Sequence, residues 1–275
     1  MALYDPAAHL PLTTRFGQDV KVAILAYGSV GVWMLGYPET ALADAKQELE
    51  YARETNQSTT LMYALGITPL IHILNGNYAT ANALLDDLAS LVDEKKALHW
   101  KGQSMAVRGW LFCLGGRASD AIPTIVAGIT EYRSTGAHTF LPTLLSSLAS
   151  AYAEMGKFED AQRCIAEALV AIETTKEKWF ESDINRLAGE IALKSPALNA
   201  TAAEAYFQRA LAVARQQQAK SWELRAAMSM ARLWRDQGKR DEARELLAPV
   251  YGWFTEGFDT HDLKDAKALL DELAA

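Results

Sequence analysis

The stretch Ala149-Ser150-Ala151-Tyr152-Ala153-Glu154-Met155-Gly156-Lys157-Phe158-Glu159-Asp160-Ala161 decides the fold. Small and aromatic side chains recur three and four positions apart as far as the glycine, the spacing of one helical face. Gly156 then interrupts, because glycine takes the positive φ with which helices commonly end. Beyond it Ala161, Ile165 and Ala168 resume the apolar stripe on a second helix. Strands would alternate with period two, and this stretch does not. Working outward, the closing alanine recurs at Ala41, Ala81, Ala121 and Ala161, 40 residues apart, and again at Ala203 and Ala243. The glycine travels with it, as Gly36, Gly76, Gly116, Gly156 and Gly238. Ser29, Gly109, Ala149, Gly189 and Ala231 mark one place on the first helices where a small side chain lets a neighbour approach closely. Six copies of one helical hairpin predict a stacked solenoid, and so binding work over bond-making chemistry.

The departures from the repeat are as informative as the repeat. In the second copy Pro69 replaces the small residue, which predicts a helix bent or split near Thr68. Between Gly189 and Ala203 the spacing is two residues longer, within Lys194–Ala200, and a longer loop is expected there. Helix pairs are expected near 18–55, 58–95, 98–136, 138–176, 178–218 and 220–254, with a last helix near 260–273. Residues 1–17 read as a linker segment and 18–275 as the solenoid. Gly257 and the aromatics of Trp253–Asp259 read as a plug for the open end of the stack.

Composition narrows the function classes. Half of the 275 residues are hydrophobic and 22% are charged, as in an ordered globular chain. A net charge of −7 offers no basic face for nucleic acid, so no nucleic-acid partner is expected. Without a long apolar run or a signal-peptide pattern, no membrane partner is expected and the chain reads as cytoplasmic. Cys113 and Cys164 lack CxxC spacing and read as buried free thiols, and the five histidines are scattered. His72 stands where other copies carry an aromatic and reads as a packed histidine. No phosphate loop, HExxH pair or nucleophile elbow appears. The expectation is therefore a non-enzyme with no catalytic residues, cofactor or metal.

The recurrent Gly/Ala, Tyr, Gly, Phe, Ala, Ala pattern resembles the tetratricopeptide repeat, lengthened to 40 residues from about 34. The resemblance implies an all-α, right-handed superhelix of six helix pairs plus a C-terminal capping helix. It also implies that the first helix of each pair lines a concave face. That face would carry Trp33, Tyr63, Leu70 and Trp110 at one end and Arg186, Arg225, Arg232 and Arg235 at the other. Two readings of those residues are open. In one, the aromatics anchor a partner and the arginines hold carboxylates or phosphates. In the other, the aromatics pack on each other and the arginines pair with Asp183, Glu190 and Asp236.

The C-terminal third carries a closer likeness. Its segments include Gln217–Ala227, Ala231-Arg232-Leu233-Trp234 and Leu246–Thr260, with the block Tyr251-Gly252-Trp253-Phe254-Thr255-Glu256-Gly257-Phe258-Asp259. Together with Tyr4-Asp5-Pro6, His9 and Phe16-Gly17-Gln18-Asp19, these resemble the C-terminal tetratricopeptide-like region of bacterial multidomain regulators. Those regulators carry a class III adenylate/guanylate cyclase domain and an AAA-type, STAND-like ATPase upstream. A more distant similarity is to the sensor solenoid of the maltose-operon activator. The resemblance implies a regulatory interaction module whose partner is a protein or peptide, in particular such an ATPase or cyclase region. A small-molecule sensor and an oligomerisation scaffold are the alternatives. The chain holds neither the cyclase nor the ATPase, so no nucleotide-binding residue carries over.

Overall fold

A computed structural model of the chain describes residues 5–196 and 199–274. Tyr4 of the N-terminal resemblance, and Ala197 and Leu198 of the longer loop, lie outside the described residues. Every regular element described is helical. The segment expected as a linker instead carries three short helical turns, α1 (Pro6–His9), a 3-10 turn (Leu10–Leu12) and α2 (Thr13–Phe16). Six hairpins follow: α3 (Val20–Met34) with α4 (Pro38–Glu54), α5 (Ser58–Leu74) with α6 (Tyr78–Lys95), and α7 (Leu98–Leu114) with α8 (Ala118–Ser134). The series continues with α9 (Leu141–Glu154) and α10 (Phe158–Thr175), α11 (Glu181–Lys194) and α12 (Ala200–Gln216), and α13 (Lys220–Asp236) and α14 (Arg240–Tyr251). A final helix, α15 (His261–Ala274), packs on α13 and α14.

Local chemistry explains the hairpins. At each of the five recurring glycines the chain turns with positive φ, from +69° at Gly156 to +96° at Gly36. The next N–H reaches back to close the helix, as in Lys157 N to Tyr152 O at 2.9 Å and Asn77 N to His72 O at 2.8 Å. This is the glycine-dependent C-terminal motif, and it satisfies carbonyls the helix end would leave bare. Close approach follows within the pairs. A Cβ built on Gly109 would lie 2.5 Å from the Ile125 side chain, and one on Gly128 would lie 2.4 Å from the Ala106 nitrogen.

The split expected near Thr68 does not occur. The α5 helix runs unbroken through Pro69, which is buried among its own apolar turns. Tertiary burial on both sides holds the segment helical despite the hydrogen bond that proline cannot donate.

Stacking is sequential, each first helix touching the next and also the second helix of the pair before it. The sixth pair, however, comes back to the first. Helix α13 contacts α3, and the Ser221 hydroxyl donates to the Trp33 carbonyl at 2.6 Å. Beside them, the N–H and hydroxyl of Thr40 donate to the Glu256 carboxylate, both at 2.9 Å, and Gly257 N–H donates to Glu39 at 2.7 Å. A Cβ on Gly257, whose φ is +78°, would sit 2.2 Å from the Pro38 ring. The Trp253–Asp259 block therefore does not plug an open end. It clasps the last pair onto the first, with Trp253 edge-on to Tyr37 at 5.5 Å.

Candidate functional site

Because the chain returns on itself, the faces expected to form an open groove meet across the axis. Trp33 packs edge-on against Trp222 with ring centres 4.6 Å apart. Trp222 meets Phe180 at 4.9 Å, Phe180 meets Trp179 at 4.9 Å, and Trp110 comes edge-on to Phe180 at 6.2 Å. Edge-to-face stacks of this kind add to plain burial. Tyr63 is buried between Tyr27 and Trp100, at 6.4 and 5.7 Å, and burial pushes its hydroxyl pKa up. Trp33, Tyr63 and Leu70 are thus core side chains and not anchors on a surface: the turn of the solenoid brings Trp33 onto Trp222, and Tyr63 packs between neighbouring first helices.

The arginines are likewise spoken for. Arg186 bonds Asp183 and Glu190, both at 2.6 Å. Burial opposes its charge, but the two carboxylates outweigh that and raise its pKa above the ordinary guanidinium value. Arg225 bonds Asp262 at 2.7 Å and the Leu74 carbonyl at 2.9 Å, with its guanidinium over Trp33 and Trp222 at 5.1 and 5.2 Å. Arg232 faces Asp265 at 3.6 Å, and Arg235 bonds Glu272 at 2.7 Å as well as Asp236. Three of the four therefore form a ladder from α13 to α15. Helix α15, expected only as a cap, supplies Asp262, Asp265 and Glu272 as their partners. The signal lay in their spacing, acids on one helix matching arginines on another.

Four of the eight singled-out residues do meet at one place. Trp110, Arg186, Arg225 and Arg232 line a cavity of about 190 Å³ at the end of the axis, beside Tyr78 and Leu114. One wall is apolar, from α5, the start of α6 and α7, and the other is made of compensated ion pairs from α11, α13 and α15. Tyr78 and Leu114 are the exposed parts of the apolar wall. His261, 3.7 Å from Asp265, stands at its rim. Leu70, Tyr63, Trp33 and Arg235 do not reach it.

A second electrostatic feature lies between α4 and α5. Glu48 is fully buried, its single hydrogen bond a long one from the Thr68 hydroxyl at 3.4 Å. Burial pushes its pKa up to about 9, so the acid is neutral at pH 7. His72 is a half-buried residue of α5 whose pKa burial lowers, but its buried Nδ1, expected to be satisfied by a neighbour, has no hydrogen-bond partner among the described residues. Among the described residues no cluster of three His, Cys, Asp or Glu side chains suits a metal ion. None of the described helices is long and apolar enough to cross a membrane.

No protein-family model matches the chain, and no curated protein does. Solved structures do resemble it. One is BtubC (BKLC) from P. vanneervenii, with a TM-score of 0.54 and 15% identity over 86% of this chain and 89% of that one. At that identity the likeness shows the fold alone, a repeated all-helical arrangement.

Proposed function

We propose that the chain is a non-catalytic, tetratricopeptide-like interaction module that biases a nucleotide-driven switch of the cyclase–ATPase type. The observation that carries the reading is the mixed mouth at the end of the axis. There exposed Tyr78 and Leu114 share one cavity with Arg232 and Asp265. Arg232 is the cavity arginine with the longest ion pair, so a partner's polar group can compete for it at least cost. An apolar anchor beside a polar rim is the arrangement of small interface centres.

The test mixes the chain with a purified ATPase–cyclase region of such a regulator and follows binding by calorimetry. Binding that Leu114→Asp weakens by on the order of tenfold, with the melting temperature unchanged, supports the mouth as the contact. Binding that ignores Leu114→Asp moves the contact elsewhere, and no binding overturns the reading.

The mixed apolar and charged lining of the cavity supports one second reading, a compact ligand. At about 190 Å³ the cavity is smaller than the roughly 300–1,000 Å³ of drug-sized sites, so the ligand would be small. A metabolite at a hundred times its Kd would stabilise the fold by about 2.7 kcal/mol, visible as a thermal shift that Arg232→Ala abolishes.

A further inference from the structure

The repeat makes a comparison possible at one position of every first helix. Ile24 on α3 corresponds to Ala64, Ser104, Leu144 and Ile184, and across the longer loop to Ala226. The five later residues are all buried, none more than 6% exposed, whereas Ile24 is 42% exposed. Tyr27, at 54%, corresponds to the buried Ile67, Val107, Ser147 and Ser229 and to the half-buried Leu187. One turn on, at the register of Gly28, Thr68 bonds Glu48 of α4, and Arg108 bonds Asn82 and pairs with Asp86 of α6. The covering element in later copies is therefore the second helix of the preceding pair, a contact made five times in succession.

Among the described residues no helix stands before α3 in that place. A Cβ built on Gly28 or Gly31 meets no atom within 4 Å, whereas Ile71, Ala151, Ala188 and Ile191 at the matching places of later copies are buried. The short turns of residues 6–16 leave Ile24 and Tyr27 uncovered, with Phe16 also exposed beside them. We infer that this stripe, Val20, Ile24, Tyr27, Gly28 and Gly31, receives an amphipathic α-helix of a partner polypeptide, seated as the second helix of a preceding pair would be. Its bound face would carry small and branched apolar residues. The two open glycines admit close approach, and the stripe is one helix wide and about three turns long. A stable dimer needs roughly 800 Å² from each partner, more than a single helical stripe offers, so a second copy fits less well.

The probe is a peptide of residues 158–175, the sequence of α10, which in this protein packs on α11 as the second helix of the preceding pair. It is locked helical by a cross-link between positions 163 and 167, both exposed in the fold. Fluorescence anisotropy should show saturable binding to the intact chain, weakened on the order of tenfold or more by Ile24→Asp, whose melting temperature stays at the parent value. Tyr78→Ala should leave the peptide's affinity unchanged, which separates this surface from the axial mouth. Absence of binding, or equal binding to Ile24→Asp, overturns the inference. So does a dimer seen in sedimentation that Ile24→Asp dissolves, since it would place a second copy on the stripe.

Discussion

Glu48 shows what a single buried side chain can impose. Its folded pKa, pushed up to about 9, stands above the ordinary 4.5, so the folded protein keeps a proton that the unfolded chain releases. The stabilisation this brings is complete below pH 4.5 and gone once the pH passes about 9. Urea denaturation between pH 5 and 9 should therefore show falling stability in the parent and a flatter profile in Glu48→Gln. Trp33→Ala belongs to the same scale. With Trp222 and the Arg225 guanidinium packed on it, the substitution should cost about 3–5 kcal/mol, as large aromatic truncations in cores do. Loss of cooperative thermal unfolding would confirm it, and a normal melt would return Trp33 to the status of surface anchor. Sequence could name Trp33 and Arg225 as inward-facing because the helical period and the tetratricopeptide resemblance together assign a face. It could not say what the face meets, since Trp222 and Leu74 lie more than 140 residues away along the chain from those two residues.

The hairpins were the most legible feature, and the reason is that they are closed locally. Glycine, back-bonded N–H and close-packed alanine all fall within one 40-residue unit, so their spacing survives in the sequence. The turns between pairs left no such mark. Asn56, Lys96, Lys176 and Gln218 adopt positive φ without being glycine, near +55° to +61° for the last three. Left-handed backbone costs an ordinary side chain about 1–2 kcal/mol, so Lys96→Gly, Lys176→Gly and Gln218→Gly should each stabilise, less the extra freedom glycine has when unfolded. Guanidinium titration of the three single variants and the triple variant checks both sign and additivity. Pro69 misled for the opposite reason. Proline's local cost is visible in sequence, whereas the apolar burial that outweighs it along α5 is not.

At the scale of the molecule the number of pairs was readable and the tightness of their winding was not. Winding depends on small angles between neighbouring hairpins, which no motif encodes. It decided the fate of the expected groove, since a wider turn would have left Trp33 and Trp110 on a wall facing solvent. The α13–α15 ladder and the clasp at Pro38–Thr40 both follow from that winding. Removing residues 252–275 would delete the acids of the ladder together with Glu256 and Gly257. Hydrogen exchange should then quicken in α3, and intrinsic fluorescence should change as Trp33 loses its surroundings.

An ordinary open stack of repeats frays from either end and hardly notices damage far along its length, because each unit feels only its neighbours. Joining the first hairpin to the last removes that independence. Here a lesion at residue 257 becomes a lesion at residue 38, and both ends of the chain should loosen in a single event.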